Sequence, residues 1–217
     1  TAEWRANTDT TYTVEYYYQN DGKYADTATE HVSRAGTTDT TATVEESDKV
    51  TSKTGYVFDE NANNILTGTI AGDGSLVLKL YFKQQFTVKY LPGVYGTFET
   101  QTYENLDYGS DIPEFSGEKT GKPGYSFANW NPTVTGKVTE DKTYTAEWTP
   151  NTNTVYTVEY YYQKDGEYAN TTTEFVSKVE TTDTIVTVEE TDKVTSKAGY
   201  VFDESASNIL TGTIAGD

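Results

Sequence analysis

At 217 residues the chain is long enough for one or two domains of ordinary size. Its 34 acidic residues outnumber its 16 basic ones, and the formal net charge of −18 disfavours phosphate backbones and anionic membrane surfaces as partners. Cysteine is absent, which removes disulfides, thiolate catalysis and structural zinc, and no apolar run approaches the ~20 residues that span a bilayer.

Hydrophobic residues reach 35%, but aromatics reach 14%, with 19 tyrosines. Each aromatic ring buries a large area, so a few suffice for a thin core, and such a composition argues against disorder. Methionine is absent and the chain starts at Thr1, which reads as a segment of a longer protein.

Residues 1–4 (Thr-Ala-Glu-Trp) recur at 145–148 and read as the tail of a preceding unit, with a polar linker through Thr11. In Tyr12–Gln19, Tyr12, Val14, Tyr16 and Tyr18 share one face, and Thr13, Glu15, Tyr17 and Gln19 the other, which predicts a half-buried strand. Asn20-Asp21-Gly22 supplies a turn, and Tyr24 to Arg34 predicts the second arm of a hairpin. A short strand is expected over Thr40–Val44, a helical turn over Glu45–Val50, and further strands over Gly55–Phe58 and Ile65–Ile70. Ser75–Lys83 alternates most clearly, with Leu76, Leu78, Leu80 and Phe82 pointing one way.

A second unit opens at once with Phe86, Val88 and Tyr90. Pro92-Gly93 predicts a turn, Thr97–Asn105 a strand, and Thr143–Trp148 a closing strand. Thr149–Val155 reads as a linker. From Tyr156 the chain then copies its own start, because Tyr12–Gln19 returns unchanged as Tyr156–Gln163, an offset of 144 residues. Positions 1–73 and 145–217 share 55 identities without an insertion, Gly55-Tyr56-Val57-Phe58 and Asp73 finding counterparts in Gly199-Tyr200-Val201-Phe202 and Asp217. A fixed period of this kind marks a tandem array. The units are therefore 12–83, 84–148 and 156–217, after a tail and linker at 1–11 and around a linker at 149–155.

The span 86–148 contains Gly124-Tyr125-Ser126-Phe127, Trp130 and Tyr144-Thr145-Ala146-Glu147-Trp148. It resembles the Listeria–Bacteroides repeat, the B-repeat of internalin-type surface proteins, although Asn129 stands where that family often has Gly. Spans 12–83 and 156–217 resemble mucin-binding-protein (MucBP-type) repeats through Thr13-Val14-Glu15-Tyr16, Asp21-Gly22, Gly68-Thr69, Asp73-Gly74 and Leu80-Tyr81-Phe82. The residues between 33 and 54 exceed the shortest members of that family. Both resemblances imply a mostly β chain of tandem small β-grasp-like (ubiquitin-like) domains in an elongated array. They also imply the wall-attached extracellular surface of a Gram-positive bacterium.

Few residues suggest chemistry. His31 is the sole histidine, and its counterpart is Phe175, so no base is available to activate the many serines and threonines. The pairs Glu45-Glu46 and Glu189-Glu190 read as solvated edges, since thin sheets seldom form the cleft that glycosidase acids must flank. Gly72-Asp73-Gly74 reads as a hairpin turn rather than a phosphate loop, and no calcium loop of the D-x-[DN]-x-[DN]-G form occurs. Trp130 and Trp148 are expected in the core, and Lys–Asn isopeptide cross-links are not expected.

No catalytic, cofactor or metal residue is therefore expected, and the chain reads as non-enzymatic stalk repeats of an adhesin. The alternative gives Tyr17 and Tyr161, on the outer face of their strands, the role of stacking on sugars of host mucin glycans; otherwise the tyrosine runs fill the core. The third unit stops before an equivalent of Leu76–Phe82. Either that end reflects how the segment was cut, or a strand from another chain completes the sheet.

Overall fold

The structure, a computed structural model, describes residues 1–216 and is mostly β, with sixteen strands and one 3-10 turn at Glu46–Lys49. The chain divides into two compact units. The first comprises Thr1–Lys89, Gln101–Phe115 and Val134–Thr143; the second comprises Tyr90–Thr100, Ser116–Thr133 and Tyr144–Asp217.

In the first unit the organising strand is β1 (Thr10–Asn20). Asp21 and Gly22, both at positive φ, turn it back into β2 (Lys23–Tyr24), and β3 (Glu30–Gly36) completes the antiparallel edge. After β4 (Thr41–Thr43) and β5 (Tyr56–Phe58), β6 (Thr67–Thr69) pairs with β4. The chain then enters β7 (Val77–Leu91), which lies parallel to β1 in the register Thr13↔Val77 to Tyr18↔Phe82. Both β5 and β8 (Gln101–Asp107) also pair with β7.

The alternation of β7 explains the core. Leu78, Leu80 and Phe82 are fully buried against Val14, Tyr18 and Ile70, and the same phase recurs at Val88 and Tyr90. No loop interrupts β7 between positions 83 and 84: the strand runs through five half-buried residues, 83–87, and the buried phase that ends at Phe82 returns at Val88.

In the second unit β9 (Tyr125–Asn131) pairs antiparallel with β10 (Lys142–Pro150), with a register shift between Glu147 and Trp148. Tyr90, Phe98, Phe127, Trp130, Tyr144 and Trp148 form one aromatic cluster, and the Trp148 indole N–H donates to the Pro92 carbonyl at 2.8 Å. Both tryptophans are half-buried rather than enclosed.

The copied segment follows as β11 (Thr154–Tyr160), β12 (Gln163–Lys164), β13 (Glu167–Tyr168), β14 (Glu174–Glu180), β15 (Ile185–Thr187) and β16 (Thr211–Thr213). Its pairings repeat the first copy residue for residue, with Thr154↔Glu180 matching Thr10↔Gly36 and Ile185↔Thr213 matching Thr41↔Thr69. Identity of sequence is therefore identity of register.

The extent of the strands differs. The first tyrosine run lies inside one eleven-residue strand, whereas β11 stops at Tyr160. The expected linker at 149–155 is also shorter than its composition suggests. Thr149 and Pro150 pair with Ser126 and Tyr125, Thr154 and Val155 belong to β11, and three residues remain between strands. Pro150 fits at a strand end, where a missing N–H costs no ladder bond.

Candidate functional site: the joint at Asn151

Tyr17 is 5% exposed; its ring stacks on Tyr81 at 4.7 Å, and its hydroxyl donates to Glu15 at 2.6 Å. The cause is the parallel register, which sets Tyr81 directly beside Tyr17, with Tyr24 packed edge-on against Tyr81. Tyr161 keeps the matching bond to Glu159, at 2.8 Å, but is 44% exposed. His31 is exposed on β3 opposite Glu15. Glu45 and Glu46 are exposed at the start of the 3-10 turn, and Glu46 pairs with Lys49 at 2.7 Å. Among the described residues no group of three or more His, Cys, Asp or Glu side chains is placed to hold a metal ion.

The polar cluster at the 3-10 turn is built for structure. The buried Asp48 accepts from the Tyr16 hydroxyl at 3.0 Å, from the Arg34 guanidinium and from the Glu45 N–H at 2.9 Å. Burial first, and then donation to Asp48, push the Tyr16 phenol up to about 12. In the copy, Lys178 replaces Arg34 and reaches Asp192 at 2.6 Å, holding that carboxyl below its usual range.

The arrangement that joins separate stretches of sequence is centred on Asn151. Its N–H donates to the Gly124 carbonyl at 2.7 Å, its side-chain carbonyl accepts from the Ser126 hydroxyl at 2.6 Å, and its backbone carbonyl accepts the Thr182 N–H at 2.9 Å. Thr182, 3% exposed, exchanges a hydroxyl bond with Thr154 at 2.6 Å. The Tyr125 hydroxyl donates to Asp183, which raises the phenol pKa, and the Tyr125 ring stacks on Tyr95 at 3.9 Å.

Backbones meet closely here. Gly124 has φ +80°, and a Cβ on it would fall 2.6 Å from the Thr182 hydroxyl. A Cβ on Gly216 would fall 2.6 Å from the Gly124 Cα and closer still to the Pro123 carbonyl. The aromatic middle stretch and the copied repeat are thus clipped by short hydrogen bonds and glycine contacts rather than by a loose tether.

Half of this joint recurs at the start of the chain. Thr38 N–H donates to the Asn7 carbonyl at 2.8 Å, and Thr10 bonds Thr38 through their hydroxyls at 2.7 Å. Sequence reasoning passed over these residues, yet a signal existed. Asn7-Thr8 and Thr10 are identical to Asn151-Thr152 and Thr154 within linkers that vary at the other four positions, and Thr37-Thr38-Asp39 is identical to Thr181-Thr182-Asp183.

No family model matches this sequence, and no curated protein matches it. Among solved structures the chain is similar to Streptococcal High Identity Repeats in Tandem (SHIRT) domains 3-4 from a cell surface protein. The identity is 17%, over 64% of this chain and 98% of that one, with a TM-score of 0.23.

Proposed function

We propose that this chain consists of spacer repeats from a Gram-positive cell-surface adhesin, holding a binding head away from the wall. The observation that carries the reading is the repeated Asn–Thr clip, Asn7 with Thr38 and Asn151 with Thr182, at the same place in both copies. A repeated clip at each joint restricts bending between neighbours, and a restricted array converts repeat number into reach. The net charge of −18 would keep neighbouring stalks apart. In this reading no residue performs a chemical step and no cofactor is needed.

The absence of cysteine makes the test clean. Spin labels on engineered cysteines at the exposed Glu118 and Glu174 report the distance across the joint. A narrow distribution is expected, broadening when a flexible Gly/Ser insert is placed between Asn151 and Thr152. A parent chain as broad as the insertion variant would refute the spacer reading.

Glycan recognition is the second reading, favoured by Tyr161 and Tyr168 at 44% and 40% exposure. A glycan array probed with the whole chain would show saturable binding that Tyr161→Ala and Tyr168→Ala abolish; no binding would retire it.

A further inference from the structure

Two long strands of the first unit run in the same direction, and this decides how the chain meets tension. β1 and β7 are parallel over six residue pairs, Thr13↔Val77 to Tyr18↔Phe82. A pull along the chain enters β1 from the Thr10 side and leaves through β7 beyond Phe82. Parallel strands pulled from opposite ends must slide past one another, so all bonds of the ladder are strained together. Strands pulled from the same end are peeled apart one bond at a time. The force a folded unit withstands follows its rate of unfolding along the pulled direction rather than its equilibrium stability.

The ladder is closed on both faces. On the core side Val14, Leu78, Leu80 and Phe82 are fully buried, and the Tyr18 ring stacks on Phe82 at 5.1 Å. On the other side the Tyr17 ring lies on Tyr81 at 4.7 Å, and the Lys79 ammonium is 3.9 Å from Glu15. These side chains keep out the water that would otherwise compete for strained main-chain bonds. They must also part if the strands slide.

The same strand serves a second neighbour. β7 continues to Leu91 and lies next to β10 in the sheet. Contacts between the two advance together along both: the Thr87 N–H donates to Asp141 at 2.8 Å, and the Tyr90 ring stacks on Tyr144 at 5.3 Å. Just past the strand, a Cβ on Gly93 would meet the Ala146 carbonyl. β10 therefore also runs parallel to β7, and tension that draws β7 back draws β10 forward.

We propose that β7 is a tension splice, one strand held by two parallel clamps that are both loaded in shear when the chain is stretched. This goes beyond the spacer reading. Resistance to bending belongs to the joint at Asn151, whereas resistance to stretching belongs to β1, β7 and β10.

Single-molecule force spectroscopy on the whole chain tests the proposal, with paired cysteines as attachment points in a sequence that has none of its own. Asp9, Ser75, Lys89 and Thr149 are exposed. Handles at Asp9→Cys and Lys89→Cys pull β1 and β7 from opposite ends, and handles at Asp9→Cys and Ser75→Cys peel them from one end. At one loading rate, in variants sharing the parent urea midpoint, the first pair should rupture at a force at least about twofold above the second. Handles at Asp9→Cys and Thr149→Cys place both clamps between the attachment points and should rupture in the range of the first pair. Equal forces for the first two pairs would overturn the clamp between β1 and β7. A third pair as weak as the second would overturn the clamp between β7 and β10. A Gly/Ser insert between Asn151 and Thr152 should leave the force of the first pair unchanged, so this inference and the spacer reading fail separately.

Discussion

Asp48 gathers three donors at one buried carboxylate, and Tyr16 is the one whose protonation can be titrated. Its phenol ionises near 10 when unfolded and at about 12 when folded, so folding favours the protonated form. That contribution is complete below pH 10 and is lost as pH rises from 10 towards 12. Urea unfolding at a series of pH values should show this decline, and Tyr16→Phe should make it shallower, Tyr17, Tyr24 and Tyr160 with their raised pKa values supplying part of the rest. The same variant should cost about 0.5–1.5 kcal/mol at neutral pH, the usual net worth of one hydrogen bond. Leu80, fully buried among rings, is the complementary apolar case. Leu80→Ala should cost about 2–5 kcal/mol, read from the shift in the unfolding midpoint.

Elements show how one sequence takes two extents. Tyr-Thr-Val-Glu-Tyr-Tyr-Tyr-Gln belongs to a single strand in β1, but its second occurrence leaves β11 after Tyr160. The alternation in Tyr12–Gln19 and Leu76–Phe82 was legible because strand periodicity is local. Burial of Tyr17 was not, because it depends on Tyr81 arriving beside it from more than sixty residues away. The joint at Asn151 was illegible for a different reason. Two of its three bonds use backbone groups, which residue identity does not encode. The copies give a control for it. Gly72 has ordinary space around it, with Thr38 at 3.5 Å from an added Cβ, whereas its counterpart Gly216 has none. Gly72→Ala should therefore leave stability within about 0.5 kcal/mol, while Gly216→Ala should broaden the 118–174 spin-label distance distribution. Equal behaviour of the two variants would show that the close approach at Gly124 does not hold the joint.

At the scale of the whole molecule, two electrostatic effects act on stiffness and can be separated. Repulsion from the net charge of −18 is spread over the surface and is screened within about 10 Å at 0.1 M salt. The Tyr125–Asp183 bond is a single contact, and because it favours the protonated phenol it raises the Tyr125 pKa. Its contribution to the joint is thus complete below pH 10 and is lost as pH rises through the higher folded value. The label distance across Asn151 should stay narrow from pH 7 to 9 and broaden in strongly alkaline solution. Added salt should not reverse that broadening if a lost hydrogen bond causes it, but should reverse it if accumulated negative charge does. Tyr125→Phe removes the titrating group while keeping the ring on Tyr95, so its distribution should be somewhat broader at pH 7 and insensitive to alkali. An unaltered alkaline response in that variant would place the weak point of the joint elsewhere, with the glycine contacts at 124 and 216 the next to test.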